Sequence, residues 1–298
     1  MKKFIYLSCA VLVLFSCKKL VLDGLAFPSE ELEVYEFENY DFSNGGIGLP
    51  DSMFADPTNY TEVTMTSFDA VNETSYQIHG VFIGDMSSIA SDTVILYLHG
   101  QSLHMDAYFD RASLLANLGG KYNYSVFMID YRGYGRSEGA SKEQGLYEDG
   151  NAAIDWLIGQ GADQNKTFCY GFSLGAIPTI DRAAYRDDFK FRKIILESPL
   201  ASVENLVHNS TLLGMSPGFV TTLDFPNAEK IKDVSSPLLW IHGVEDDYIS
   251  IDNGELIYGN HPGGDNVALR VPVANHGDIP QIIGFEVYLE EVLNFIRN

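Results

Sequence analysis

Thr167-Phe168-Cys169-Tyr170-Gly171-Phe172-Ser173-Leu174-Gly175-Ala176 is the stretch that decides what fold this chain can take. An apolar run, Phe168 to Tyr170, feeds into a Gly-x-Ser-x-Gly pentad. Beyond it, Leu174, Ala176, Ile177, Ile180 and Ala183 fall at the spacing of a helix with one apolar face. A strand that turns at once into a helix leaves one side chain at the apex in a strained backbone conformation, and the two glycines remove the Cβ atoms that would collide there. Ser173 is the apex residue.

Outward from this turn, short apolar runs recur: Val94 to Leu98, Ser125 to Ile129, Ile194 to Leu196, Leu238 to Ile241 and Ala268 to Val273. Runs of this length suit strands buried on both faces. Between them, Tyr108 to Leu118, Gln144 to Ile158, Leu174 to Tyr185 and Gly254 to Tyr258 have helical spacing, and Ile282 to Ile296 closes the chain as one amphipathic helix. Strands alternating with helices predict an α/β domain with a mostly parallel central sheet and helices on both faces. Ahead of this pattern, Thr61, Val63 and Met65 alternate with polar neighbours, as do Tyr76, Ile78, Gly80 and Phe82, with Asn72 and Glu73 at the bend between. This predicts an N-terminal antiparallel hairpin. Residues 199–234, with Leu206, Leu212, Leu213, Met215, Phe219 and Phe225, break the rhythm and are the candidate for a small cap.

A chain of 298 residues with 46% hydrophobic residues can bury the core of one α/β domain, expected over 58–298. The formal net charge of -22 repels phosphate backbones, so nucleic acid is excluded as a partner, and the same charge serves solubility. Lys2 and Lys3 precede an apolar run from Phe4 to Phe15, too short for the roughly 20 residues of a membrane-spanning helix but suited to a secretory signal. Residues 18–57 read as a tether and an N-terminal arm, acidic and aromatic, with Glu30, Glu31, Glu33, Glu36 and Glu38 interleaved with Tyr35, Phe37, Tyr40 and Phe42. With Cys9 in the signal and Cys17 at its end, Cys169 is the remaining thiol, read as a small buried apolar residue. No His-x-x-x-His pair or cysteine cluster stands at ligand spacing, so neither metal nor cofactor is expected.

Acyl transfer by a serine needs a base for the hydroxyl proton, a carboxylate to orient the base, and donors for the developing oxyanion. His276 follows the last apolar run, and Asp246 follows the preceding one, in His242-Gly243-Val244-Glu245-Asp246. The order Ser, Asp, His is that of α/β-hydrolases. Asp246 competes with its neighbours Glu245 and Asp247, and His276 with six other histidines, of which His99 and His242 fall in His-Gly turns read as structural. Asp278, before Ile279 and Pro280, reads as a helix N-cap.

With these residues in view, the chain from about Thr61 onward resembles an α/β-hydrolase of the serine aminopeptidase-like group. His99-Gly100-Gln101 resembles the family's oxyanion loop. Asp130-Tyr131-Arg132-Gly133-Tyr134-Gly135-Arg136-Ser137-Glu138-Gly139 resembles its Asp-Tyr-Arg-Gly loop, and His242-Gly243 with Asp246 and Ile249 its acid-bearing loop. The resemblance implies a triad of Ser173, His276 and Asp246 and an oxyanion hole formed by the backbone N–H groups of Leu174 and Gln101. It implies a serine hydrolase acting on a small-molecule acyl substrate, first a carboxylic ester, with thioester, amide or peptide as alternatives. A surface lipoprotein that uses the fold only for binding is the reading from a different class. Separately, Leu14-Phe15-Ser16-Cys17 resembles a bacterial lipobox, which implies residues 1–17 as a lipoprotein-type signal and a membrane anchor on Cys17, with ordinary signal cleavage as the alternative. Several acyl chains on one cysteine anchor stably, at about 0.8 kcal/mol per buried methylene. Expressed in a bacterium fed radiolabelled palmitate, the chain is expected to take up label and the Cys17→Ser variant to lose it; equal labelling of both excludes the anchor.

Overall fold

The structure, a computed structural model, describes residues 23, 27–44, 46–208 and 222–298. Cys17 with the expected signal segment, and residues 209–221 of the candidate cap, lie outside the described residues.

Alternation of apolar and polar residues in β1 (Tyr60–Asp69) and β2 (Thr74–Ile83) gives the expected antiparallel pair, with Met65 opposite Ile78. The turn between them places Glu73 at φ +50°. The apolar runs form β3 (Val94–Leu98), β4 (Ser125–Ile129), β5 (Thr167–Phe172), β6 (Ile194–Glu197), β7 (Leu238–Gly243) and β8 (Val267–Val271). The eight strands make one sheet in the order β1-β2-β4-β3-β5-β6-β7-β8. β2 meets β4 antiparallel, and every pairing beyond it is parallel.

The helices in chain order are α1 (Met105–Leu115), α2 (Glu143–Gly159), α3 (Ala176–Tyr185), α4 (Val203–His208), α5 (Asn227–Lys230), α6 (Ile251–Asn260), α7 (Ile279–Ile283) and α8 (Phe285–Arg297). Side chains alternate across a strand, so β3 feeds two cores. Leu96 and Leu98 pack with Ile154 of α2 and Ile177 of α3, while Ile95 and Tyr97 pack with Phe109 of α1 and Val292 of α8. Each such side chain is worth roughly 1.5–3 kcal/mol when fully buried.

Several elements differ from the sequence expectation. The closing helix is two helices, because Gly284 takes φ +87° and ends α7 before α8 begins. The first helix starts at Met105, a turn before its apolar spacing indicates, and ends at Leu115 instead of Leu118. Its first turns carry Asp106 and Asp110, whose buried carboxylates serve the arm: Asp106 accepts the N–H groups of Glu36 and Phe37 at 2.9 Å each, and Asp110 accepts that of Ile47 at 2.6 Å. Tyr35 and Phe37 of the arm are buried, and Tyr35 Oη donates to Asp130 at 2.7 Å. Phe225, from the candidate cap interval, is buried in the core on the α2 and α3 side of the sheet.

Among the described residues Arg132 is the most heavily paired cation, fully buried with Nη1 2.7 Å from Glu148 and Nη2 2.8 Å from Asp149, and with Asp69 at 3.4 Å. Removing one partner of such a set strands the others in low dielectric. Arg132→Met is expected to lower unfolding free energy by about 3–5 kcal/mol in urea melts, whereas a loss near zero would mean that the carboxylates find other partners.

Candidate active site

At the end of β5 the chain reverses through Ser173–Gly175 into α3, and Ser173 takes φ +50°. A non-glycine residue there costs about 1–2 kcal/mol. The flanking glycines are required by contact: a Cβ at Gly171 would lie 2.5 Å from Thr179 Oγ1, and one at Gly175 only 1.9 Å from the Leu98 carbonyl oxygen. Ser173 is buried at the apex of this turn.

Two further loops meet over it. A Cβ at Gly243 would come within 2.3 Å of the Ala274 carbonyl, so only glycine lets the loop after β7 lie against the loop after β8. Glu245 N–H donates to Ala274 at 3.0 Å, and Asn275 Oδ1 accepts the N–H groups of His276 at 2.7 Å and Asp247 at 3.1 Å. Strand β8 stops at Val271, short of the expected Val273, which takes φ +56° as the chain turns toward His276. Asp278 stands at the N-cap position of α7, but its carboxylate accepts Asn275 N–H at 2.7 Å in place of a helix N–H. It fastens the loop of His276 instead of capping the helix.

The structure brings Ser173, His276 and Asp246 together. Ser173 Oγ lies 2.8 Å from His276 Nε2, and His276 Nδ1 lies 2.8 Å from Asp246 Oδ2. A carboxylate only accepts, so the imidazole proton sits on Nδ1 and Nε2 is free to accept from the serine hydroxyl. Asp246 Oδ1 takes the N–H groups of Tyr248 at 3.0 Å and Ile249 at 2.7 Å, and Oδ2 takes a second contact, from His242 Nε2 at 3.2 Å. Burial opposes ionisation of Asp246, but the donors from His242, His276 and Ile249 outweigh it and hold the carboxyl well below its ordinary range.

The imidazole of His276 lies between two rings, Phe172 at 5.4 Å and Tyr248 at 5.0 Å between centroids. Beneath its loop, Arg111 donates to the Gly277 carbonyl and, through Nη1, to Glu197 Oε1 at 2.9 Å, with its guanidinium 4.2 Å from the Phe172 ring centroid. Gln101 follows β3 beside the turn. Its carbonyl accepts from Tyr108 Oη and its side-chain oxygen from Tyr248 Oη, both at 2.7 Å. Leu174 is in the first turn after the apex, where a backbone N–H has no partner within the helix. His99 stays below the site, bound to Asp130 at 3.1 Å.

Tyr248, Arg111 and Glu197 are the site neighbours that sequence spacing missed, and His242, read as a structural turn residue, lies against Asp246. Signals existed: a histidine four residues before Asp246, and an arginine and a glutamate at the edges of apolar patterns. The partners of Arg111, Glu197 and Tyr248 are distant in sequence, so nothing local named them.

The lowered Asp246 pKa has a sign. Its stabilisation is fully present above the ordinary carboxyl value of 3.8 and is lost progressively as pH falls from there through the depressed folded value. Chemical denaturation from pH 7 downward is therefore expected to show wild type keeping its full stability margin over Asp246→Asn down to about pH 5 and part of it below pH 3.8. A margin that vanishes between about pH 5 and 4 would contradict the lowered value.

Residues 90–228 match the family described as Serine aminopeptidase, S33. The alpha/beta hydrolase domain-containing protein aho-3 of Caenorhabditis elegans is 34% identical over 210 residues, 69% of this chain and 58% of that protein. The alpha/beta hydrolase domain-containing protein 17C of Xenopus laevis is 33% identical over 229 residues, 74% of this chain and 67% of that protein. The chain thus spans about three fifths to two thirds of the length of these relatives. Among solved structures, the Pyrococcus furiosus esterase Pf2001 is similar at a TM-score of 0.61 and 21% identity, over 80% of this chain and 89% of that one. The Pyrococcus horikoshii acylaminoacyl peptidase is similar at a TM-score of 0.56 and 16% identity, over 80% and 42%. At these identities the likeness is one of fold, whereas the curated relatives establish kinship: the chain belongs to the alpha/beta hydrolase family.

Proposed function

We propose that this chain is a serine hydrolase that cleaves a carboxylic ester or thioester of a small molecule through an acyl-enzyme. The observation that carries the proposal is the unbroken relay from Ser173 Oγ to His276 Nε2 and from His276 Nδ1 to Asp246 Oδ2, each link 2.8 Å. Ser173 attacks the acyl carbon while His276 takes its proton. Asp246 holds the imidazole with Nδ1–H toward itself and stabilises the imidazolium. The oxyanion is received by the N–H groups of Leu174 and Gln101, the first favoured also by the positive end of the helical turn. His276 then delivers the proton to the leaving alcohol or thiol, and a water, deprotonated by the same imidazole, releases the acid and restores Ser173. No step calls on a metal or cofactor.

Peptide or amide cleavage is the second reading, favoured by the match of residues 90–228 to a family described as serine aminopeptidase. The same relay can serve an amine leaving group, so the scissile bond has to be measured. As its address we propose the outer side of a bacterial membrane, periplasm or cell surface, with Cys17 as lipid anchor, on the strength of the lipobox-like Leu14-Phe15-Ser16-Cys17.

A fluorophosphonate probe is expected to label the purified protein and to fail on Ser173→Ala; absence of labelling, or labelling that survives the substitution, would leave a binding protein as the better account. With p-nitrophenyl esters of rising chain length beside aminoacyl anilides, ester turnover is expected to exceed anilide turnover and to fall at least about a thousandfold in Ser173→Ala or His276→Ala. Turnover of anilides alone would transfer the assignment to the peptidase reading.

A further inference from the structure

We infer that His242 is a positioning residue for the acid of the relay, a neutral imidazole whose tautomer is set by Trp240 and whose proton holds the Asp246 carboxylate toward His276. The inference rests on the serine-hydrolase reading of Ser173. Trp240 and His242 stand two residues apart on β7, so their side chains share one face of the sheet, and both are fully buried. An indole Nε1–H can only donate, and it meets His242 Nδ1 at 3.2 Å. Nδ1 therefore carries a lone pair, which leaves the ring proton on Nε2. That proton faces two acceptors, the Ile249 carbonyl at 2.9 Å and Asp246 Oδ2 at 3.2 Å.

One carboxylate oxygen thus lies between two imidazoles with opposite duties. His276 exchanges its proton with the serine, whereas His242 holds its own. Protonating His242 would set an N–H against the indole N–H in a buried site, forfeiting one hydrogen bond and leaving two donors opposed. Glu255 of α6 is a further carboxylate within electrostatic range among the described residues, and it is already paired with Arg270 at 2.5 Å. His242 Nδ1 accordingly serves as the acceptor of the indole N–H, and Nε2 as the donor toward Asp246. Its bond fixes the carboxylate about its last torsion and draws charge from Oδ2, which restrains the pull of Asp246 on the imidazolium of His276.

The test compares wild type, His242→Gln, His242→Leu and Trp240→Phe by kcat and KM for p-nitrophenyl acetate across pH, each normalised to sites titrated with fluorophosphonate. His242→Leu is expected to lose about tenfold in kcat with KM within about twofold, the scale of one hydrogen bond to a charged group. Freed of the competing donor, Asp246 should bind the imidazolium more strongly, so the acid limb of kcat/KM moves to higher pH by about half a unit. His242→Gln, whose amide N–H can reach the same acceptors, should restore most of both. A purely packing role would reduce the number of titratable sites without moving the limb. An unshifted limb per site in His242→Leu, or no rescue by His242→Gln, overturns the inference. If His242→Leu does not fold, Trp240→Phe decides: release of Nδ1 should add a second ionisation and steepen the limb, and a single-proton limb at the wild-type position overturns the inference. Failure of wild type itself to label at Ser173 is a separate result, which removes the hydrolase reading and this inference with it.

Discussion

The site depends on one close approach, that of the backbone at Gly175 to the carbonyl of Leu98, where a methyl group would come within 1.9 Å of the oxygen. Strands β3 and β5 are neighbours, with Leu98 paired to Gly171, so the turn after β5 has to fold back over the end of β3. That contact pushes Ser173 into the left-handed region and sets the first turn of the helix beside the loop that carries Gln101. Strain at the apex is held by parallel strands buried on both faces, whose pairing outweighs the one or two kcal/mol involved. The same device recurs two strands away, where Gly243 lets the loops of Asp246 and His276 touch.

Much of this was legible in the chain, and the reason is local. A buried parallel strand is a short apolar run, and the runs from Val94, Ser125 and Ile194 begin where the strands begin. The hairpin was readable from alternation, and Gly171, Ser173 and Gly175 announce the turn because the pentad itself spans five residues, although the contact that requires glycine at Gly175 is with Leu98 on a neighbouring strand. Elements set by distant partners were not readable. The early start of α1 goes with Asp106, which binds an arm some seventy residues earlier, a partner that apolar spacing cannot register. The break at Gly284 lies within a continuous apolar pattern, where a glycine signals tolerance of a break without requiring one. At the site, the order of Ser173, Asp246 and His276 could be placed at strand ends, but the role of Asp278 could not, since its acceptor geometry is decided by where the loop of His276 runs.

Buried charge beneath the site is better understood as orientation than as stability. Arg111 and Glu197 are both sequestered, and taking two ions out of water costs several kcal/mol each, which their attraction roughly offsets. An apolar pair of similar volume could replace them with little loss of stability. What it could not do is bind the Gly277 carbonyl next to His276 or stack on Phe172, contacts that Arg111 makes at once. A fixed guanidinium under a loop that has no regular secondary structure supplies the rigidity that a strand would otherwise provide.

Two carboxylates close adjacent strands, Glu197 on β6 and Asp246 just beyond β7, and either could serve as an acid by position alone. Their donors separate them. Glu197 accepts from Arg111 at Oε1 and from both Tyr170 and Tyr288 at Oε2, so its lone pairs are engaged on the α1 and α8 side of the sheet, away from the imidazole. Asp246 has Oδ1 satisfied by two backbone N–H groups of its own loop, which turns Oδ2 outward toward His276. A group paired with a full cation is already neutralised and has little field left to orient a neutral ring. A group held by neutral N–H donors stays charged, and that charge faces the imidazole beside it. The difference between the two carboxylates is therefore one of partners, and the partner that distinguishes Asp246 is His276.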